Sequence, residues 1–305
     1  MNTSSNIMPE STESSGPGYK TAAARPFYWS VRRELWENRS IYIAPLIVAA
    51  VVLFGSFVGS FHLPDRRRLA MLLDPAHRRG AIELPYDIAA MIIIVTALVV
   101  GFFYCLDALY GERRERSILF WKSLPVSDLT TVLSKASVPL MILPLINFVI
   151  IVATQFIMML ISSAALTPSG LAGTTWTNFN LFQQSVILLY SLIVIALWHA
   201  PIYGWLLLAS GWARRATFLW AVLPLLAIGV LEKIAFDTSH FASMLKNRLF
   251  GAGDTAFAFH PQHGVAIDSL TQLTPGRYLT TSGLWIGLAF AAVFVAVAVR
   301  QRRYR

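Results

Sequence analysis

The chain has 305 residues, of which 56% are hydrophobic and only 13% charged, and its mean hydropathy is +0.58. A soluble domain carries about a quarter charged residues, so an ordinary soluble fold is excluded and an all-α, multi-pass membrane protein is expected. The net charge of +9 has neither a basic helix nor an aromatic platform beside it, which argues against nucleic acid as a partner; Lys and Arg gather instead in the connections between apolar runs, where membrane lipids attract them.

Residues 1–25 are rich in Ser, Thr, Gly and Pro and have no apolar core. They predict a disordered tail rather than a signal peptide, because no apolar run precedes Arg39. Residues 26–40, PFYWSVRRELWENRS, place Phe27, Val31, Glu34 and Leu35 along one helix side and Arg32, Arg33, Glu37 and Arg39 around the rest. That pattern predicts an amphipathic interfacial helix, with aromatics at headgroup level and arginines toward water.

A spanning helix needs about 20 mostly apolar residues. Six stretches qualify: 41–61, 86–110, 138–164, 184–211, 217–234 and 282–299. The fourth contains Pro201, which predicts a kink. With the N-terminus inside, the connections and tails on the inner side carry sixteen Lys and Arg against nine outside. The positive-inside bias therefore predicts both termini in the cytoplasm, although Arg66, Arg67, Arg68, Arg78 and Arg79 in the first outer loop oppose it. The last outer loop, about 235–281, carries short apolar patches broken by Gly and Pro, enough for short helices on or dipping into the outer leaflet. The six-helix domain covers residues 41–305, with the membrane placed as the inner, cytoplasmic one.

Polar groups inside the apolar runs come next, because they are costly in lipid and face the bundle or a cavity. Asp87 and Asp107 sit near run ends, where water is close. Asn147, Gln155 and His199 lie deeper: they are either interhelical hydrogen-bonding groups, worth about 0.6–2 kcal/mol each, or the lining of a substrate path. Cys105 is a lone cysteine in an apolar run and reads as a packing residue. Gly55-x3-Gly59 and Gly283-x3-Gly287 could allow close helix approach.

Catalytic signatures are missing. None of the five lysines, Lys20, Lys122, Lys135, Lys233 and Lys246, follows a glycine, so the chain has no GxxxxGK[ST] phosphate loop and no ATPase site of its own. HExxH and GxSxG are also absent. His260 and His263, with Asp254 and Asp268 nearby, read as a solvated loop rather than a metal site. Neither catalytic residues nor a cofactor in this chain are expected.

Between the second and third runs lies YGERRERSILFWKSLPVSDLTTVLSKA, residues 110–136. Glu112 and Arg116 form an i,i+4 pair in the favourable order. Ile118, Leu119 and Trp121 add apolar surface, and Pro125 disfavours helix at Leu124. Ser127 suits an N-cap, after which Leu129, Val132, Leu133 and Ala136 follow one apolar helix face. Connections between bundled helices usually run about 2–8 residues, so a patterned one of this length predicts a docking surface for a cytoplasmic partner.

The same stretch resembles the cytoplasmic loop of ABC transporter permeases of the type-2 exporter class: an acidic-basic cluster, a small residue and an apolar pair, then LPVS, a polar stretch and a lysine. Glu112, Arg113, Glu115, Arg116, Leu119, Ser123, Leu124, Pro125, Val126, Ser127 and Lys135 match that pattern. Ser117-Ile118 stands where Gly-Thr is frequent, and Phe120-Trp121-Lys122 where an acid and aliphatics are usual. The resemblance extends to the layout over about 27–302. It implies a permease subunit paired with a second copy or a paralogous permease, and driven by a separate cytoplasmic ATP-binding subunit that holds ATP and Mg. It also implies a coupling helix whose contacts are Glu112, Arg113, Arg114, Glu115, Arg116, Leu119, Trp121, Lys122 and Ser123. The alternatives are a membrane scaffold or sensor subunit without transport, and an integral membrane enzyme with its site at the outer face. The cargo cannot be read from the residues.

Overall fold

The computed structural model describes residues 24–114, 127–258 and 269–304. The described part is helical: α1 Ala24–Glu37, α2 Ser40–Gly59, α3 Leu63–Met71, α4 Pro75–Asp107, α5 Tyr110–Arg114, α6 Asp128–Ser137, α7 Leu143–Leu166, α8 Gly173–Asn178, α9 Leu181–Trp212, α10 Thr217–Phe236, α11 His240–Phe250, α12 Ala252–Ala256, α13 Pro275–Thr280 and α14 Ser282–Tyr304. Six stretches are long and apolar enough to cross a membrane, which makes this an all-α, multi-pass membrane protein. The expected tail and the His260 and His263 pair fall mostly or wholly outside the described residues.

Two boundaries differ from the sequence expectation. The second span begins eleven residues earlier, because α4 starts at Pro75 and runs through Pro85. Asp74 and Pro75 supply the start: proline at the first turn needs no N–H partner. The third span begins within the loop, at α6, and continues through a π-helical segment, Val138–Ile142, into α7. Pro139 has no N–H to give the Lys135 carbonyl, and Pro144 withholds one from Leu140, so the ladder widens between them.

The bundle is centred on the fourth span. The most extensive helix pairing is between α9 and α14. Gly204 makes it possible: a Cβ there would stand 3.2 Å from the Ala291 carbonyl oxygen and 3.3 Å from Ala291 Cα. Around α9 lies a core of Ile41, Cys105, Val138, Leu143, Tyr203, Leu206 and Leu207, all buried. Cys105 is a packing residue, as expected. Large apolar side chains elsewhere stay exposed, including Leu46, Val51, Phe54, Leu223, Leu226 and Val230. In a chain that crosses a bilayer this belt meets acyl chains, not water.

The connection between α10 and α14 forms short helices, and these reach deep into the bundle. Leu249 and Arg248 of α11 contact His199 and Trp198, which lie near the middle of the 32-residue α9. Arg248 sits 4.5 Å from the Trp198 ring centre and donates to the Gly283 carbonyl at 2.6 Å. Gly287 leaves the room, since a Cβ there would stand 2.1 Å from the Arg248 guanidinium. Within this chain the two glycine pairs sit in different surroundings. Gly287 admits an arginine of the same chain, and Gly55 and Gly59 have no heavy atom within 4 Å of where a Cβ would point.

Candidate functional site

At the end of the bundle where α1 lies, four elements converge on a buried ion cluster. α1 is helical where the sequence predicts, and it packs on α6. Its inward face is Ser30 and Glu34, with Leu35 against the core, while Tyr28, Trp29 and Trp36 stay exposed. Arg32 lies between the two tryptophans, 5.1 Å from the Trp29 ring and 4.6 Å from the Trp36 ring. Glu34 is completely buried. Lys135 Nζ donates to it at 2.8 Å, Arg33 at 3.0 Å, and the Tyr104 hydroxyl at 2.9 Å.

Lys135 also lies 3.2 Å from Glu112, which Arg33 reaches at 3.2 Å from α1. Arg302, from the end of α14, donates to Glu112 and, at 3.0 Å, to Asp128 at the start of α6. Three carboxylates, Glu34, Glu112 and Asp128, thus face three cations, Arg33, Lys135 and Arg302. Burial opposes the Glu34 charge, but the Lys135 ammonium, its hydrogen bond and Arg33 outweigh this and hold the carboxyl below the usual glutamate range. The balance matters: a charge this deep is tolerated only when paired and hydrogen-bonded.

The joint between α4 and α5 is fastened to α9 as well. The Ser210 hydroxyl accepts from the backbone N–H groups of both Leu109 and Tyr110, each at 2.9 Å. These are otherwise unsatisfied donors at the start of α5. In return Arg113 donates to the carbonyls of Ser210, in the last turn of α9, and of Ala213, its C-cap. Each helix end caps the other.

The expected coupling residues therefore divide. Glu112 and Arg113 turn inward, to the ion cluster and to α9. Arg114 is exposed, with its guanidinium 5.9 Å from the Tyr110 ring. Glu115, Arg116, Leu119, Trp121, Lys122 and Ser123 lie outside the described residues, and so does the expected Glu112–Arg116 pair. The N-cap reading is met: Ser127 accepts from Thr130 N at 3.1 Å. The apolar face of α6 is rotated from its expected place. Val132 and Ala136 are buried with Thr131, Ser134 and Lys135, while Leu129 and Leu133 are exposed. Placing Lys135 under Glu34 decides that rotation.

The three deep polar residues each meet a backbone carbonyl. Asn147 donates to Leu143 O of its own helix at 2.6 Å, and its Oδ1 is buried without a partner. It lines a small void with Tyr203. Gln155 donates to the Tyr86 carbonyl at 3.4 Å, nearer the opposite end of the bundle, and its Oε1 is also unpartnered. The two ring nitrogens of His199 lie 2.9 Å from Ile195 O and 3.2 Å from Leu249 O. A neutral imidazole has one N–H, so only one of those carbonyls can receive it at a time. His199 thus ties α11 to α9.

The sequence reading passed over Arg33, Glu34, Tyr104, Asp128, Ser210 and Arg302 as a site. One signal was present: Glu34 stands on the apolar side of α1, with Phe27, Val31 and Leu35. An acid on such a face demands a buried cation. Among the described residues no group of His, Cys, Asp and Glu could hold a metal ion. No family model, no curated protein and no solved structure matches this chain.

Proposed function

We propose that this chain is the membrane-spanning permease subunit of an ATP-driven exporter of the ABC type-2 class. It works in the cytoplasmic membrane with both termini inside, paired with a second permease and with a separate ATP-binding subunit. The chain has no phosphate-binding loop, so energy has to arrive from a partner. The stretch 110–136 resembles the coupling loop of such permeases.

One observation supports a mechanical role for that stretch. Both flanks of residues 115–126 are anchored: Glu112 and Arg113 on one side, Asp128 and Lys135 on the other, all joined to α1, α9 and α14. A push on residues 115–126 then reaches the second, third and sixth spans together through these short charged contacts. In this reading ATP binding closes the partner, the segment moves, and the spans switch the access of the cargo.

The test is purification of the full-length chain from its native membranes, followed by reconstitution in nanodiscs. A P-loop ATPase should accompany it in stoichiometric amount, and its ATP hydrolysis should change when the chain is present. Purification without such an ATPase, and no effect on the hydrolysis of any ATPase encoded beside it, overturns the reading.

A further inference from the structure

At the opposite end of the bundle, α2, α3, α4 and α7 enclose a cavity of about 530 Å³, the size of an ordinary small-molecule site. Its polar lining is Arg66, Arg67, Tyr86 and Ser162, with Ser56 and Ser60. Its apolar wall includes Ile88 and Ile92, whose side chains are also exposed on the outer surface of the bundle.

Arg67 is the unusual member. It is 4% exposed. Its Nη2 donates to Thr175 Oγ1 at 3.3 Å, Thr175 itself being fully buried, and its Nη1 is buried with no partner. Among the described residues no carboxylate pairs with it. The acids nearby in sequence are otherwise engaged: Asp65 with Arg68, Asp74 with His77 and Glu83 with Arg79. A guanidinium out of water without a counter-charge is costly, and its fork geometry fits a carboxylate or phosphate. None of the described residues supplies that charge, and the cavity beside Arg67 is open to a ligand that does.

The shape of the cavity says what carries that charge. Gly55 and Gly59 of α2 line it with no heavy atom within 4 Å of their Cβ directions. The two glycines hollow out the wall. The cavity thus has a cationic end on an apolar trough, and the trough continues into Ile88 and Ile92 at the surface that acyl chains cover.

We propose that this cavity binds an anionic amphiphile, with Arg67 holding the phosphate or carboxylate headgroup and the trough holding the first part of the acyl chain. The site does not depend on the exporter reading and stands if that reading fails.

The experiment uses full-length protein in detergent and measures retained lipid by native mass spectrometry, together with the melting shift on adding lipid. Phosphatidylglycerol, phosphatidylcholine of the same acyl chains, and inorganic phosphate are the three additions. Wild type should bind phosphatidylglycerol about tenfold or more tighter than phosphatidylcholine, as expected for a charged hydrogen bond gained. R67Q should lose that preference. G55L, which fills the trough without touching Arg67, should lose both lipids by a similar factor while melting normally without lipid. R68Q, at an exposed pair, should bind as wild type. Equal wild-type affinity for the two lipids, or unchanged phosphatidylglycerol binding in G55L, overturns the proposal. If inorganic phosphate competes as well as the lipid does, the ligand is a free oxyanion and the amphiphile assignment falls. If R67Q does not fold, G55L and the lipid comparison still decide the matter.

Discussion

Lys135 Nζ stands 2.8 Å from Glu34 Oε1, across 101 residues of sequence, and neither side chain has meaningful contact with solvent. The pair fastens the pre-span helix to the start of the third span. Removing one partner leaves the other charge buried and uncompensated, which costs about 3–5 kcal/mol. K135M should therefore lower the melting temperature of the detergent-solubilised protein by several degrees. E34Q/K135M, with both charges gone, should recover part of the loss, so a double-mutant cycle separates the pair from general disruption. A double mutant as unstable as the sum of the singles contradicts the pairing.

The same pair sets a pH dependence. The Glu34 carboxyl titrates below its usual range when folded, so the folded state binds fewer protons there than the unfolded state. Its contribution is fully present at neutral pH, and still present just above the ordinary glutamate value of about 4.3. It is lost as the pH falls through the depressed folded value. Melting temperature followed from pH 7 downward should drop more steeply for wild type than for E34Q in that acid window.

The inward and outward charges of α5 should behave differently. E112Q removes a carboxylate shared by Arg33, Lys135 and Arg302, so it should destabilise the chain whatever the chain does. Arg114 is exposed, so R114Q should leave melting within about 0.5 kcal/mol of wild type. If the exporter reading holds, R114Q should still reduce the change in partner ATPase activity that the chain produces. Intact coupling in R114Q would take that residue out of the docking surface.

Ser210 offers a local test. Two backbone donors, Leu109 N and Tyr110 N, end on its hydroxyl. S210A strands them, at a cost of about 1–3 kcal/mol for a buried unsatisfied group. Hydrogen exchange at those two amides should quicken in S210A while amides in the middle of α9 keep their protection.

Gly204 sets the spacing of the fourth and sixth spans. A methyl group at 3.2 Å from a backbone carbonyl cannot be accommodated by rotating a side chain, so G204A should cost about 1–3 kcal/mol as overpacking. G283A makes a useful comparison. Its Cβ would meet only side-chain carbons, at 3.7 Å and beyond, and it should be near neutral.

The six spans and the N-cap at Ser127 were legible because each depends on residues adjacent in the chain. A run of about 20 apolar residues crosses a bilayer whatever surrounds it, and a serine three residues before an unpaired N–H can cap it locally. The absence of a phosphate-binding loop is likewise a local fact of the sequence. The roles of the charges were not legible in the same way. Glu112 looks like one of five consecutive charges in a connecting loop, and nothing within that loop says that it turns inward to Arg302, 190 residues on. Arg67 looks like one of three consecutive arginines, and only the packing of α3 on its neighbours buries it away from the described carboxylates. Burial and partner are properties of the assembled bundle. They decide whether a charge is a solvated surface group or one half of a buried structural pair, because the cost of holding it depends on how much water the rest of the chain has removed.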